Sequence, residues 1–307
     1  MPTNPKEKKM HRTRSRWFSP LIVALALVAV ACGSGDPEEE PGGDPGGDAA
    51  EAPEHPEGSA MAEFQDAGTI TVGTKFDQRL FGQTDPRTGE VEGFDVEIAK
   101  LIAEAIGPDV EVEFVETPSA IREQAIVDGN VDMVVATYTI NDARKEQIDF
   151  AGPYYVAGQD IMVPAGNPLA IEGVDDLNGK RVCSVQGSTS IDNVREMAPQ
   201  AEVTEFPLYT NCADAMRDGR VDAVSTDNVI LLGLVEQYGS ELFEVVENPF
   251  TEEPYGIGIP KDDDELRSFI NDRLEEIYES GEWAEAFEST VGAVSEETPE
   301  PPPVDRY

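Results

Sequence analysis

Histidine is almost missing from this 307-residue chain: there are two, His11 and His55. Both fall in segments that read as lying outside the folded region, so zinc chemistry and a Ser-His or Cys-His nucleophile have no histidine to use. Cysteine is scarce as well, at three residues. Two of them, Cys183 and Cys212, are too few for a metal site of their own, and no cofactor motif stands elsewhere in the chain. Positive charge is short: 22 Lys and Arg face 62 Asp and Glu, a formal net charge of −40. Such a field argues against nucleic acid and anionic lipid as general partners. It suits a salt-rich habitat or colloidal solubility. A melting temperature that fails to rise with KCl would count against the first. Apolar runs of membrane-spanning length are also lacking; the N-terminal one, Leu21 to Ala31, has eleven residues where a spanning helix needs about 20.

What is present begins with an address. Lys6, Lys8, Lys9, Arg12, Arg14 and Arg16 precede that apolar run, and Ala29-Val30-Ala31-Cys32 ends it with small residues before a cysteine. This pattern resembles a bacterial lipoprotein signal, with Cys32 as the lipidated new N-terminus; the alternative is an ordinary signal peptide with an incidental cysteine. Removing residues 1–31 and their five excess positive charges leaves −45. Residues 32–62, rich in Gly, Pro, Asp and Glu, read as a disordered acidic spacer, and residues 293–307 as a disordered tail. The compartment outside the membrane is oxidising. Cys183 and Cys212 are therefore expected to form one disulfide, closing a loop of about 30 residues and worth roughly 3–4 kcal/mol.

About 230 residues remain, enough for two lobes. Thr69–Thr74, Val110–Val115 and Val131–Thr137 read as strands alternating with helices over 93–106, where Asp95 is a plausible cap, and 119–128. The pattern restarts near Gly158. Strands at 181–185, 202–206 and 221–225 alternate with helices after Ser188, over 211–218 and over 227–236. Pro254–Ile259 is a late strand, followed by an amphipathic helix on Leu266, Ile270, Leu274 and Ile277. Trp283 and Phe287 read as core. The fold class is thus α/β, two lobes with a hinge and a ligand cleft between them: 63–157 with 250–292, and 158–249. Ligands of such sheets sit beyond the carboxyl ends of the strands, where Lys75, Thr137, Ser188 and Asp227 fall.

One nine-residue stretch concentrates the chemistry. Ala136-Thr137-Tyr138-Thr139-Ile140-Asn141-Asp142-Ala143-Arg144 follows a strand, offers two threonine hydroxyls, and starts a helix at Asn141 or Asp142. Free N–H groups and an arginine fork there suit a carboxylate. The same residues would also serve as a capping turn with a surface arginine.

These blocks resemble a known family. Val72-Gly73-Thr74-Lys75-Phe76-Asp77-Gln78, Gly93-Phe94-Asp95-Val96, Thr137 to Arg144 with Ile148-Asp149-Phe150, Gly152-Pro153-Tyr154-Tyr155, Val182-Cys183-Ser184-Val185 with Gly187-Ser188-Thr189, and Glu253-Pro254-Tyr255-Gly256-Ile257-Gly258 stand in order. They are similar to the extracytoplasmic solute-binding proteins of ABC importers for polar amino acids, family 3, and most similar to actinobacterial glutamate-binding lipoproteins. The resemblance covers residues 68 to about 290. It implies the type II periplasmic-binding-protein fold, no catalysis, and a monomer on the outer face of the cytoplasmic membrane that hands its amino acid to a permease and ATPase.

It also implies roles. Arg144 with Thr139 would hold the ligand's α-carboxylate, and the Thr137 carbonyl and Asp227 its ammonium. Ser188 and Thr189 would close on the carboxylate. Arg122 and Lys75, with Ser119 beside them, would receive a second carboxylate, and Tyr209 falls near a contact position. Each has a plainer alternative: helix capping for Asp227, Ser188 and Thr189, and a surface charge for Arg122, Lys75 and Arg144. Arg79-Leu80-Phe81 departs from the actinobacterial pattern. That leaves open the shape of the first loop, and with it glutamate, aspartate or glutamine as ligand. A glutamate-sensing module and a dehydratase-like enzyme on the same fold are the other expectations to weigh.

Overall fold

The computed structural model describes residues 52–295 and 298–307. The signal, Cys32 and the first part of the spacer lie outside the described residues.

Lobe 1 begins with helix α1 (Ala60–Ala67), where Ser59 Oγ accepts from Ala62 N–H at the start and Gly68 closes the end at φ 68°. Such a serine cap contributes about 1 kcal/mol. Strand β1 (Thr69–Thr74) leads to a small antiparallel sheet of β2 (Asp77–Gln78), β3 (Gly82–Thr84) and β4 (Val91–Glu92). Then come α2 (Phe94–Ile106), β5 (Glu111–Glu116), a 3-10 turn at Ser119–Ile121, α3 (Arg122–Val127), β6 (Met133–Val134), α4 (Asp142–Lys145) and β7 (Asp149–Ala157). The chain crosses to lobe 2 at Gly158. A Cβ there would lie 2.8 Å from the Pro249 ring and 3.0 Å from Thr251 O, so the two crossing segments pass too closely for a side chain.

Lobe 2 carries β8 (Gln159–Pro164), β9 (Arg181–Val185), α5 (Thr189–Met197), β10 (Glu202–Phe206), α6 (Tyr209–Arg217), β11 (Ala223–Asp227), α7 (Asn228–Tyr238) and β12 (Phe243–Val245). The chain returns to lobe 1 as β13 (Glu253–Ile259), α8 (Asp264–Ser280) and α9 (Glu282–Thr290).

The sheet orders are β5-β1-β6-β13-β7 and β10-β9-β11-β8-β12. In each, the first three strands run parallel and the fourth, β13 or β8, lies antiparallel to both of its neighbours. Sequence reading expects parallel sheets; the antiparallel strands are the ones beside the interlobe crossings, a placement that alternation cannot reveal. A sequence repeat underlies the likeness of the lobes. Asp128-Gly129-Asn130-Val131-Asp132 and Asp218-Gly219-Arg220-Val221-Asp222 occupy matching turns, with Gly129 and Gly219 at φ 67° and 71°. Asp132 then accepts from Thr71 N–H at the start of β1, and Asp222 from Arg181 N–H at the start of β9. Each carboxylate thereby satisfies a backbone donor in the first half of the neighbouring strand.

The core of lobe 1 is aromatic: Phe94 stands edge-on to Trp283 and Phe287, and all three are buried. In lobe 2 a Cys183–Cys212 disulfide ties β9 to α6.

Three segments depart from expectation. His55 and the residues after it are not spacer: the His55 ring contacts the Ile106 carbonyl and meets Phe269 edge-on, and Met61 is buried. The tail over 298–307 is not free: Tyr307 OH accepts from Phe150 N–H, Asp305 N–H reaches Gly152 O, and Arg306 pairs with Asp272 and Glu275. One terminal tyrosine and arginine suffice to anchor a stretch that is otherwise mostly proline and acid. The strand expected over 131–137 is regular only at Met133–Val134; beyond it the backbone turns, with Thr137 at φ 45°, and meets β13 again where Thr139 bridges Tyr255.

Candidate functional site

The carboxyl ends of the parallel strands from both sheets point at one narrow, nearly filled space. Its lining includes Ser119, Arg122, Thr137, Thr139, Ser188, Thr189, Tyr209 and Asp227. Lys75, Arg122, Arg144 and Asp227 are all at least 94% buried, and charge is placed out of water only where it finds partners. A wider groove lined by Arg79, Gln83, Glu92 and Ser289 lies open on the surface; it gathers no comparable set of buried charges.

Lobe 1 supplies the cations. Lys75, just past β1, donates to Ser119 Oγ at 2.9 Å. Burial first, and Arg122 second, hold its ammonium well below the usual lysine range. Arg122 heads α3 and donates to Ala136 O at 3.0 Å and Thr137 O at 3.4 Å. It is no surface charge. Arg144 sits in α4, a single turn whose cap, Asn141, accepts from Arg144 N–H. So short a helix has little dipole, and the anion-favouring character expected there rests on the guanidinium itself. That guanidinium donates to Thr139 O at 2.6 Å, pairs through Nε with Glu123 at 3.2 Å, and reaches across to Gly187 O at 3.2 Å. Burial, then Arg122, lowers it to about 10.

The cradle's backbone is held from behind. Asp95, expected as a helix cap, lies inside α2, where its carboxylate accepts from Thr137 N–H at 2.8 Å and from the Tyr154 hydroxyl. Burial raises it to about 6. Thr137 donates its hydroxyl to Gln78 Oε1. Its carbonyl, expected to face an ammonium, takes the Arg122 contact instead.

Lobe 2 supplies the acid and hydroxyls. Asp227 stands at the helix-cap position of α7 but makes no capping bond. Its Oδ2 accepts from the Tyr255 hydroxyl at 2.6 Å, and its Oδ1 has no hydrogen-bond partner. Burial, then the charge of Glu253, raises it to about 7. A buried, incompletely satisfied carboxylate facing a cleft is a receptor for a cation. Ser188 does cap its helix, accepting from Ile191 N–H while donating to Val185 O. Thr189 donates to Glu253 at 2.9 Å and lies 3.5 Å from the Thr139 hydroxyl. Tyr209 is buried, and its N–H donates to Asp77 at 3.2 Å.

Several of these contacts cross between lobes, so the cleft is shut. Arg79, in the loop that departs from the actinobacterial pattern, adds an exposed interlobe pair with Glu236 at 3.2 Å. Sequence reading overlooked Glu123, Glu253, Asp95 and Tyr255. The site therefore sets three cations against Glu123 and Glu253 as well as Asp227.

Known proteins resemble this chain across both lobes. The model for "Bacterial extracellular solute-binding proteins, family 3" matches residues 70–293. The ABC transporter glutamine-binding protein GlnH of Bacillus subtilis (strain 168) is 36% identical over 278 residues, 89% of this chain and 96% of that one. The glutamate-binding protein GluB of Corynebacterium glutamicum is 39% identical over 247 residues, 76% of this chain and 83% of that one. An ancestral arginine-binding protein solved bound to glutamine superimposes with a TM-score of 0.69 at 38% identity, covering 73% of this chain and 98% of that one.

Proposed function

This chain belongs to the bacterial extracellular solute-binding proteins, family 3, and from that premise we propose that it captures glutamate, or a closely related acidic amino acid, and delivers it to an ABC permease. The observation that carries the reading is that Arg122 and Asp227 line one space from opposite lobes, with the buried cations Lys75 and Arg144 close behind Arg122. An acidic amino acid brings two carboxylates and one ammonium. Arg144, with Thr139, takes the α-carboxylate; Asp227, through its unsatisfied Oδ1, takes the ammonium; Arg122 and Lys75 take the side-chain carboxylate. Ser119 orients Lys75, while Thr189 and Tyr209 wall the lobe 2 side and Ser188 fixes the turn that carries Thr189. A fully desolvated charge left unpaired costs a few kcal/mol, so Arg122 and Lys75 favour a side-chain carboxylate over a neutral amide.

The work is capture, not chemistry. The acid that a dehydratase would use is committed here to an ammonium, and the relatives named above are binding proteins. Closure brings Asp227 of lobe 2 against Tyr255 of lobe 1, which would make the closed form the one a permease and its ATPase recognise. Cys32 is proposed as the lipid anchor that keeps the protein on the outer face of the membrane. Glutamine is the second reading, favoured by GlnH and by the two backbone carbonyls that already engage Arg122.

Titration calorimetry with glutamate, aspartate, glutamine and arginine tests this. Strong heat from glutamate with weaker or no heat from glutamine is expected. Heat from glutamine or arginine alone would overturn the two-cation reading.

A further inference from the structure

Thr137 and Thr139 turn toward the cleft, and the residue between them turns away. Tyr138 is fully buried behind the cradle with Ala125, Ile126, Ile148 and Phe150. Phe150 meets its ring edge-on at 4.9 Å. The guanidinium carbon of Arg122 lies 4.1 Å from the ring centroid and that of Arg144 lies 4.9 Å from it. One aromatic ring thus touches both arginines of the cleft, which come from α3 and α4.

Two guanidiniums at this spacing repel, and burial removes the water that would screen them. Glu123 offsets one of them, at Arg144 Nε; among the described residues Arg122 donates to carbonyls and lies on the ring, with no carboxylate in ion-pair contact and the charges of Asp227 and Asp95 farther off. An aromatic ring presents electron density to cations on its faces, and the attraction is strongest where water is excluded. A leucine of similar bulk would fill the same space and leave the repulsion in place.

We propose that Tyr138 is a positioning residue whose ring face holds Arg122 and Arg144 together in the cleft, so that the two carboxylate subsites are coupled through it. This rests on the two-carboxylate reading of the site. The carboxyl ends of the ligand would then not be recognised independently. Loosening the ring would misplace both arginines and penalise a ligand with two carboxylates more than one with a single carboxylate.

The test varies the ring's electron density while keeping its shape. Glutamate is titrated calorimetrically into wild type, Tyr138→Phe, and a chain carrying pentafluorophenylalanine at 138, whose face repels cations. Tyr138→Phe should bind within about threefold of wild type, and the fluorinated ring should weaken glutamate at least tenfold while weakening glutamine less. Equal binding by the two rings, or an equal loss for both ligands, would overturn the proposal by reducing Tyr138 to packing. Tyr138→Leu adds a readout that needs no ligand. The Arg122 and Arg144 Nε–H resonances should be ring-current shifted in wild type and Tyr138→Phe, and lose that shift in Tyr138→Leu. Unshifted resonances in a wild type that binds glutamate would overturn the platform alone. Shifted resonances in a wild type that binds no acidic amino acid would support the platform and overturn the ligand reading.

Discussion

Lobe 1 and lobe 2 meet at one cleft with opposite equipment. Lobe 1 brings Lys75, Arg122 and Arg144, each held by groups of its own lobe: Ser119 Oγ, the carbonyls of Ala136 and Thr137, and the Thr139 carbonyl. Lobe 2 brings Asp227, whose hydroxyl partner, Tyr255, comes from the other lobe. Lys75 and Arg122 are therefore organised without closure, whereas Arg144, which also donates to Gly187 O of lobe 2, and Asp227 each take a partner from the opposite lobe. On the proposed reading, that difference gives the ligand's carboxylates to lobe 1 and its ammonium to a lobe 2 acid completed on closure. A chain of net charge −40 thus buries three cations at its cleft beside Glu123, Glu253 and Asp227, where exclusion of water strengthens each interaction.

The largest test removes the lobe 1 anchor. Arg144→Ala should weaken glutamate and glutamine alike, by about 2–5 kcal/mol, because a buried carboxylate is left unpaired. A selective loss of one ligand in calorimetry would break the assignment of Arg144 to their common end. Next, Arg122→Ala should cost glutamate at least about 1.4 kcal/mol, tenfold, more than it costs glutamine. Equal losses would move the side-chain subsite elsewhere.

A third test concerns lobe 2 and pH. Asp227 is raised to about 7 by burial and by Glu253, with Arg122, Arg144, Tyr255 and Tyr209 around it. Because the raised group is an acid, the unliganded fold binds more protons than the unfolded chain between its ordinary value of 3.8 and about 7. Asp227's contribution to stability is therefore present at the low-pH end and is lost as pH rises through that window. An ammonium ligand needs the ionised carboxylate, so affinity should rise from pH 5 to 7 with proton release, then level off. Calorimetry in buffers of different ionisation enthalpy reads this, and Asp227→Asn should abolish the slope. A slope that survives in Asp227→Asn would remove lobe 2 from the charge accounting.

The smallest test is structural. Deleting residues 298–307 removes the Tyr307 and Arg306 contacts on lobe 1. A loss of about 1 kcal/mol, hence 2–4 °C in Tm, is expected, with ligand affinity changed less than twofold. An affinity loss matching Arg144→Ala would show that the Lys145–Tyr307 contact holds the cradle in place.

Much of this architecture was written in local pattern. Alternation in Thr69–Thr74, the short run Arg181–Val185 ahead of a glycine-serine turn, and the apolar face of α2 placed strands and helices correctly. The repeated Asp-Gly-x-Val-Asp turn went unread, because the tasks of its glycine and last aspartate show only once the strands are paired. Site residues at strand ends were readable from the topology. What escaped were the partners. Glu123 sits beside Arg122 in sequence and pairs instead with Arg144, because the start of α3 turns it toward α4. Asp95 looked like a cap and supports Thr137 from 42 residues away, which no periodicity encodes.

The sequence by itself determined the α/β class, the two lobes and the residue types that converge on the cleft, because burial patterns and strand-end positions are local consequences of order along the chain. Only the tertiary structure decided which charges meet. Desolvation and distance set the value of an ion pair, and both depend on the packing that brings Asp227 under Tyr255 and two arginines onto one tyrosine.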